Sequence, residues 1–181
     1  MPPRPLPDVA RLLCEALAAP PRLVAHLTLV HDAAFHLVGA VRDHFPGLDV
    51  DRNAVLFGAA THDLGKVLHP GELSGPGSRH EEDGPPLLER HGVPADLARF
   101  AGTHGARGGA DRLDVEDLLV ALADSTWRGR RNEEVEARLA ERLAERTGAD
   151  PWAAFLAVDT VVERACVGAE GRLAWQAAFP G

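Results

Sequence analysis

Residues 22–45 place Leu23, Leu27, Val30, Ala34, Leu37 and Val41 three or four apart. That spacing lines apolar side chains along one face of an α-helix. Pro20–Pro21 precedes the run and Pro46–Gly47 closes it, so the chain contains one unbroken helix about twice the usual length of 11–12 residues. Such a stripe needs other helices to cover it, and the same signals recur along the chain. Asp8 is placed to cap a first helix ending near Ala19, and residues 51–64 read as a third helix. Ser78 and Glu81 have capping-box spacing, opening a helix that should break or kink at Pro85–Pro86. Pro94 suits the first turn of a short helix ending near His104. Asp114 caps a helix to about Trp127, built on Val115, Leu118, Leu119 and Leu122. Asn132 opens a charged helix that runs to Thr147 and stops at Gly148, and Asp150–Pro151 starts a last one reaching about Val167. No stretch alternates as a strand would. With 181 residues and 45% of them apolar, the expectation is an all-α, single-domain helical bundle.

Composition narrows the function. A formal net charge of −8 argues against a general nucleic-acid binder, whose phosphate contacts need a basic surface. A small anionic substrate held in a local arginine pocket remains compatible with it. There is no tyrosine, which excludes a tyrosine acid or metal ligand. Cys14 and Cys166 lie far apart and form no CxxC pair, so two buried free thiols in a reducing compartment are expected. Residues 1–10, MPPRPLPDVA, show no signal-peptide apolar region, and no stretch reads as long enough to span a membrane. The expected setting is the cytoplasm.

Chemistry concentrates in THDLGK, residues 61–66, which follows the apolar run AVLFGAA and holds the only lysine, Lys66. A carboxylate such as Asp63 at the end of an apolar helix must find a cation or shift its pKa. His31 falls on the apolar stripe of the long helix, between Leu27 and Phe35. Asp124, in DLLVALADS, interrupts another apolar helix, where aspartate has poor propensity. His80 (SRHEEDG) and His104 (AGTHGARGG) sit beside glycines that permit close approach of a backbone or a ligand. His26, His36, His44, His69 and His91 are read as structural or surface positions, with His36 and His69 the ones best placed to line a pocket.

In chain order the candidates run His31, His62–Asp63, His80, His104, Asp124. This order resembles the H…HD…H…H…D ligand series of the HD-domain superfamily of metal-dependent phosphohydrolases. HDLGK matches its HDxGK form, and HEEDG resembles the HxxxG segment of its two-metal branch. The resemblance covers roughly residues 22–128, with the helices of 132–169 expected to pack on that core. It implies that His31, His62, Asp63 and Asp124 hold one metal, and that Asp63 bridges to a second held by His80 and His104. Imidazole and carboxylate donors suit two divalent transition ions, iron or manganese first, with cobalt, nickel or zinc as alternatives. A hydroxide between two such ions is a nucleophile at neutral pH. Asp63 and Lys66 would then be catalytic, the lysine as a phosphoryl contact or leaving-group acid. Arg79, Arg107, Arg128, Arg130 and Arg131 are candidate phosphate clamps.

The resemblance leaves alternatives. His104 is followed by GARGG and the chain has no GYP segment, unlike the cyclic-dinucleotide phosphodiesterase branch. The same ligands also serve di-iron HD-type oxygenases that cleave C–C or C–P bonds with O₂. A non-catalytic metal-binding regulatory domain is a third reading, and a mononuclear site with His80 and His104 on substrate is a variant of the first. Val135, Leu139 and Leu143 form a stripe on a charged helix, which could be a homodimer surface or could pack on its own domain.

Overall fold

The long helix α2 (Pro21–His44) is the axis of the molecule. Residues 2–105 and 113–180 are described by the structure, a computed structural model. Helix α1 (Asp8–Ala16) precedes α2, and α3 (Arg52–Thr61) returns alongside it. Two 3₁₀ turns, Leu64–Leu68 and Pro70–Leu73, lead into α4 (Arg79–Arg90). Short α5 (Ala95–Ala98) and α6 (Phe100–Thr103) follow, then α7 (Val115–Thr126), α8 (Glu133–Thr147), α9 (Pro151–Cys166) and α10 (Ala169–Ala177). The described residues contain helix and no strand, so the architecture is all-α.

Helix α7 shows how the fold is held. Every residue from Val115 to Ala123 is buried, the pattern of a helix surrounded on all sides. Leu118, Leu119 and Leu122 are fully enclosed, and burial of each such side chain contributes about 1.5–3 kcal/mol. An Asp114–Asp117 capping box starts the helix. Asp117 also accepts hydrogen bonds from Thr103 Oγ1 (2.8 Å) and Arg99 Nε (3.3 Å), tying α6 to α7. Val135, Leu139 and Leu143 of α8 are buried in the same core, so that stripe is internal and not a dimer surface.

Two apolar clusters meet along α2. One joins its later turns, from Leu29 to Val41, to α3, α7, α8 and α9. The other joins Leu23 and Leu27 to Leu13, Cys14, Leu64, Leu88 and Ala101. His26 lies between Leu23 and Leu27 of the second cluster, less than a turn before Leu29 of the first, and His62–Asp63 lies between Ala59 of the first and Leu64 of the second. Polar site residues therefore sit at a seam in the core.

Several local expectations need correction. Asp8 is the first residue of α1, and Pro7 stands at its cap. Ser78 precedes α4 but its side chain caps nothing; Glu72 instead accepts from the Arg79 and His80 N–H groups, at 3.1 and 3.2 Å. Helix α4 runs through Pro85 and Pro86 without a break. The prolines leave the Glu81 and Glu82 carbonyls without helical donors, and both residues reach solvent. Helix α2 is long and apolar enough to cross a membrane by length and composition, contrary to the sequence reading, yet ten of its residues are buried against the rest of the chain. Cys14 is buried and Cys166 partly so, both as free thiols. Helix α10 was not expected at all. Arg172 anchors it by donating to the carbonyls of Thr126 (3.1 Å), Trp127 (2.5 Å), Ala165 (2.8 Å) and Val167 (2.8 Å), which satisfies the open ends of α7 and α9.

Candidate metal centre

At Thr61 the α-helix gives way to a 3₁₀ turn, and Asp63 takes φ −100°, ψ 5° at the junction, in the sparsely populated bridge region. In a continuing helix, His62 and Asp63 would point about 100° apart. Here His62 Nε2 and Asp63 Oδ2 lie 3.6 Å apart, both side chains almost fully enclosed. Glycine lets the rest of the site close in. A Cβ on Gly65 would stand 2.3 Å from the His80 carbonyl oxygen, so the HDLGK glycine is where α4 presses against the 3₁₀ turn. A Cβ on Gly84 would stand 2.8 Å from Ala101 Cβ, bringing α6, and so His104, against α4.

Three donors, His26, His62 and Asp124, cluster beside Asp63 Oδ2. His26 Nε2 lies 3.1 Å from Asp63 Oδ2, 3.2 Å from His62 Nε2 and 3.3 Å from Asp124 Oδ1. His62 Nε2 is 3.5 Å from Asp124 Oδ1. On the other side, Asp63 Oδ1 is 3.2 Å from His80 Nε2 and 3.4 Å from His104 Nε2. Glu81 completes a third grouping with His80 and His104.

The donor set fits divalent metal. Ligands about 2.1 Å from an ion stand about 3.0–3.4 Å from one another in octahedral or tetrahedral arrangements, and the observed separations fall around that range. The Nδ1 atoms of His62 and His104 face carbonyl oxygens of Ala59 (3.0 Å) and Phe100 (3.2 Å), and that of His80 faces Glu72 Oε2 (2.6 Å). Those oxygens only accept, so each Nδ1 carries a proton, as in the metal-binding tautomer, and each Nε2 turns toward Asp63. Asp63 Oδ1 is buried and has no hydrogen-bond partner among the described residues. An orphaned anionic oxygen between two imidazole nitrogens is a place for a cation.

Burial alone would raise the Asp63 pKa, but the surrounding imidazoles, His62 foremost and then His104, His26 and His80, hold it well below the carboxylate range. Asp124 is likewise held low, with His26 and His62 outweighing burial. Burial disfavours a charged His26, yet Asp124 and Asp63 raise its pKa to about 9. His62, with burial dominant, is lowered. Glu72 is drawn down to about 2 by its hydrogen bond from His80 and by backbone N–H groups. Lys66 Nζ makes a short ion pair with Asp63 Oδ2.

The structure thus brings together His62, Asp63, His80, His104, Asp124 and Lys66. His31 does not join them. It is buried with Nδ1 unpartnered, and five positions beyond His26 it points roughly 140° away around α2. Because α2 is buried on most of its circumference, an apolar neighbourhood did not reveal which histidine faced the site. His26 is the residue sequence reasoning missed; its place three after Leu23 and four before Val30 was the available signal. Glu72 and Glu81 were missed in this role too.

A cavity of about 600 Å³ opens beside His26 and Asp63, lined by Arg22, Lys66, Arg128, Arg130 and Trp127 among others. Arg79 is exposed at the start of α4 and does not line it. Arg131 is occupied by Glu136 and Asp159. Arg107 lies outside the described residues. Leu173 and Gln176 of α10 supply a further wall.

No match is found among curated proteins or among solved structures. The HD domain family model matches residues 8–128, about two thirds of the chain and the part that carries all the converging ligands. The chain belongs to the HD-domain family, whose members characteristically use His and Asp side chains to hold divalent metal.

Proposed function

We propose that this protein is a metal-dependent phosphohydrolase acting on a small phosphate ester or nucleotide in the cytoplasm. The observation that carries the reading is the division of Asp63: Oδ2 faces His26 and His62, which both also meet Asp124, while Oδ1 faces His80 and His104. That is the disposition of a carboxylate shared by two ions, with iron or manganese the first candidates. When bound, such ions supply Lewis-acid activation of a phosphoryl group and of water.

The chain's own residues do the rest. Arg22, Arg128 and Arg130 give the cavity a positive lining against an overall charge of −8, which suits a substrate phosphate. Lys66 is placed to neutralise a phosphoryl oxygen or to donate a proton to the leaving group. Trp127 packs edge-on against His26 with ring centroids 5.2 Å apart, which fixes the imidazole and walls the cavity. Leu23, Leu73 and Leu173 offer apolar contact to the organic part. The space matches an ordinary small-molecule pocket of about 300–1,000 Å³.

The test is metal analysis of anaerobically purified protein together with a phosphatase substrate screen and an O₂-uptake assay. Phosphate release that is lost on chelation, restored by metal and reduced in Lys66→Gln is the expected result. Iron content with substrate-dependent O₂ uptake and no phosphate release would replace this reading with the di-iron oxygenase one.

A further inference from the structure

A second cavity, of about 760 Å³, shares no lining residue with the first. It lies along the later turns of α2, and Gly39 on its wall is 13 residues beyond His26, about 20 Å along the helix. Three arginines from three helices surround it: Arg42 of α2, Arg52 of α3 and Arg164 of α9. Among the described residues none of the three makes an ion pair, whereas Arg11, Lys66, Arg99, Arg131, Arg138 and Arg146 are each paired with an acid. Arg52 stacks its guanidinium 4.2 Å from the Phe35 ring centroid, and its Nε is buried without a hydrogen-bond partner. Asp43 is the one carboxylate among the lining residues, set against these cations and His36.

A protein with net charge −8 has no shortage of carboxylates to neutralise three guanidiniums. Their convergence on one concave surface leaves planar donor forks aimed at no protein acceptor. The volume exceeds what a lone phosphate fills, and the three arginines come from three different helices. We infer that this cavity binds a compact polyanion carrying a diphosphate or an equivalent pair of phosphoryl groups. Arg42 and Arg164 hold its anionic oxygens, and Phe35 orients Arg52 as the third contact. The site stands apart from the metal centre and is not consumed in its reaction, so its occupant is a ligand and not the substrate.

Isothermal titration of the full chain, stripped of metal by chelation, with inorganic pyrophosphate tests this. The expected result is a binding event that survives Lys66→Gln/Arg128→Gln, which disarms the metal-side cavity. Arg42→Gln/Arg164→Gln should weaken that event about tenfold or more, since hydrogen bonds to charged groups are lost. Arg11→Gln/Arg90→Gln removes the same charge elsewhere and should leave it within about twofold. Arg11, Arg42, Arg90, Arg128 and Arg164 are all exposed, so the variants test binding and not folding. Pyrophosphate affinity unchanged in Arg42→Gln/Arg164→Gln, or no event beyond the one lost in Lys66→Gln/Arg128→Gln, would overturn the inference.

Discussion

Replacing Gly65 by alanine perturbs the closure of the site without touching any ligand. The new Cβ would sit 2.3 Å from the His80 carbonyl oxygen and 3.0 Å from Gly84 Cα, against ordinary contact at 3.4 Å or more. Both neighbours are backbone, so no side chain can swing aside. Helix α4 must retreat by about 1 Å, and overpacking of that kind costs about 1–3 kcal/mol. The retreat carries His80 Nε2 away from Asp63 Oδ1, now 3.2 Å distant. Metal sites tolerate displacements of only about 0.2 Å, so on the two-ion reading proposed above, metal held by Asp63, His80 and His104 should be lost or bound at least tenfold more weakly. Gly39→Ala is the control: nothing lies within 4 Å of its would-be Cβ, and removing a helical glycine should stabilise by about 0.5–1 kcal/mol. Denaturant melts and metal content per chain read both effects. A Gly65→Ala protein with wild-type stability and wild-type metal content would refute the close-approach reasoning.

Other outcomes follow from the same geometry. His26→Ala should cut metal content and activity, whereas His31→Leu should change neither, and metal loss in the second variant alone would restore the sequence-based ligand. Glu72→Gln weakens the hydrogen bond that orients His80; metal affinity should fall about 10–100-fold, measured by competition with a chromophoric chelator. Burial pushes the Cys14 thiol from 9.0 to about 11. The folded state therefore keeps a proton that the unfolded chain sheds, and this contribution, whole below pH 9, is lost as pH rises through 11. With no tyrosine and a single lysine in the chain, about 2–3 kcal/mol should disappear over that window. Cys14→Ala should flatten the alkaline limb of a stability–pH curve, and an unchanged limb would reject the assignment.

Most helices were legible because their ends carry explicit chemistry. Asp114, Asn132 and Asp150 each accept a backbone N–H at a helix start, and Gly148 closes α8 in the left-handed region. Those signals are local, and local signals survive in a sequence. What failed depended on tertiary partners. Ser78 lost its capping role to Glu72, a residue from the preceding 3₁₀ turn. Pro85–Pro86 predicted a break or kink, and α4 stays continuous through both prolines. Helix α10 is held by Arg172 reaching carbonyls of α7 and α9, which no periodicity records. In the site, His62–Asp63, His80, His104 and Asp124 were legible because each interrupts an apolar or glycine-marked stretch. His26 was not, because two histidines on one nearly all-round buried helix are indistinguishable until the neighbours' positions are known.

Metal stoichiometry across three proteins tests the central claim most directly. With the two oxygens of Asp63 serving separate histidine sets, the wild-type chain should hold two ions. His80→Ala should hold one, and Asp63→Ala, which removes the shared carboxylate, should hold none. Elemental analysis after equilibration with manganese or iron and removal of free metal gives the counts. Retention of both ions by Asp63→Ala, with the fold intact by circular dichroism, would contradict the account.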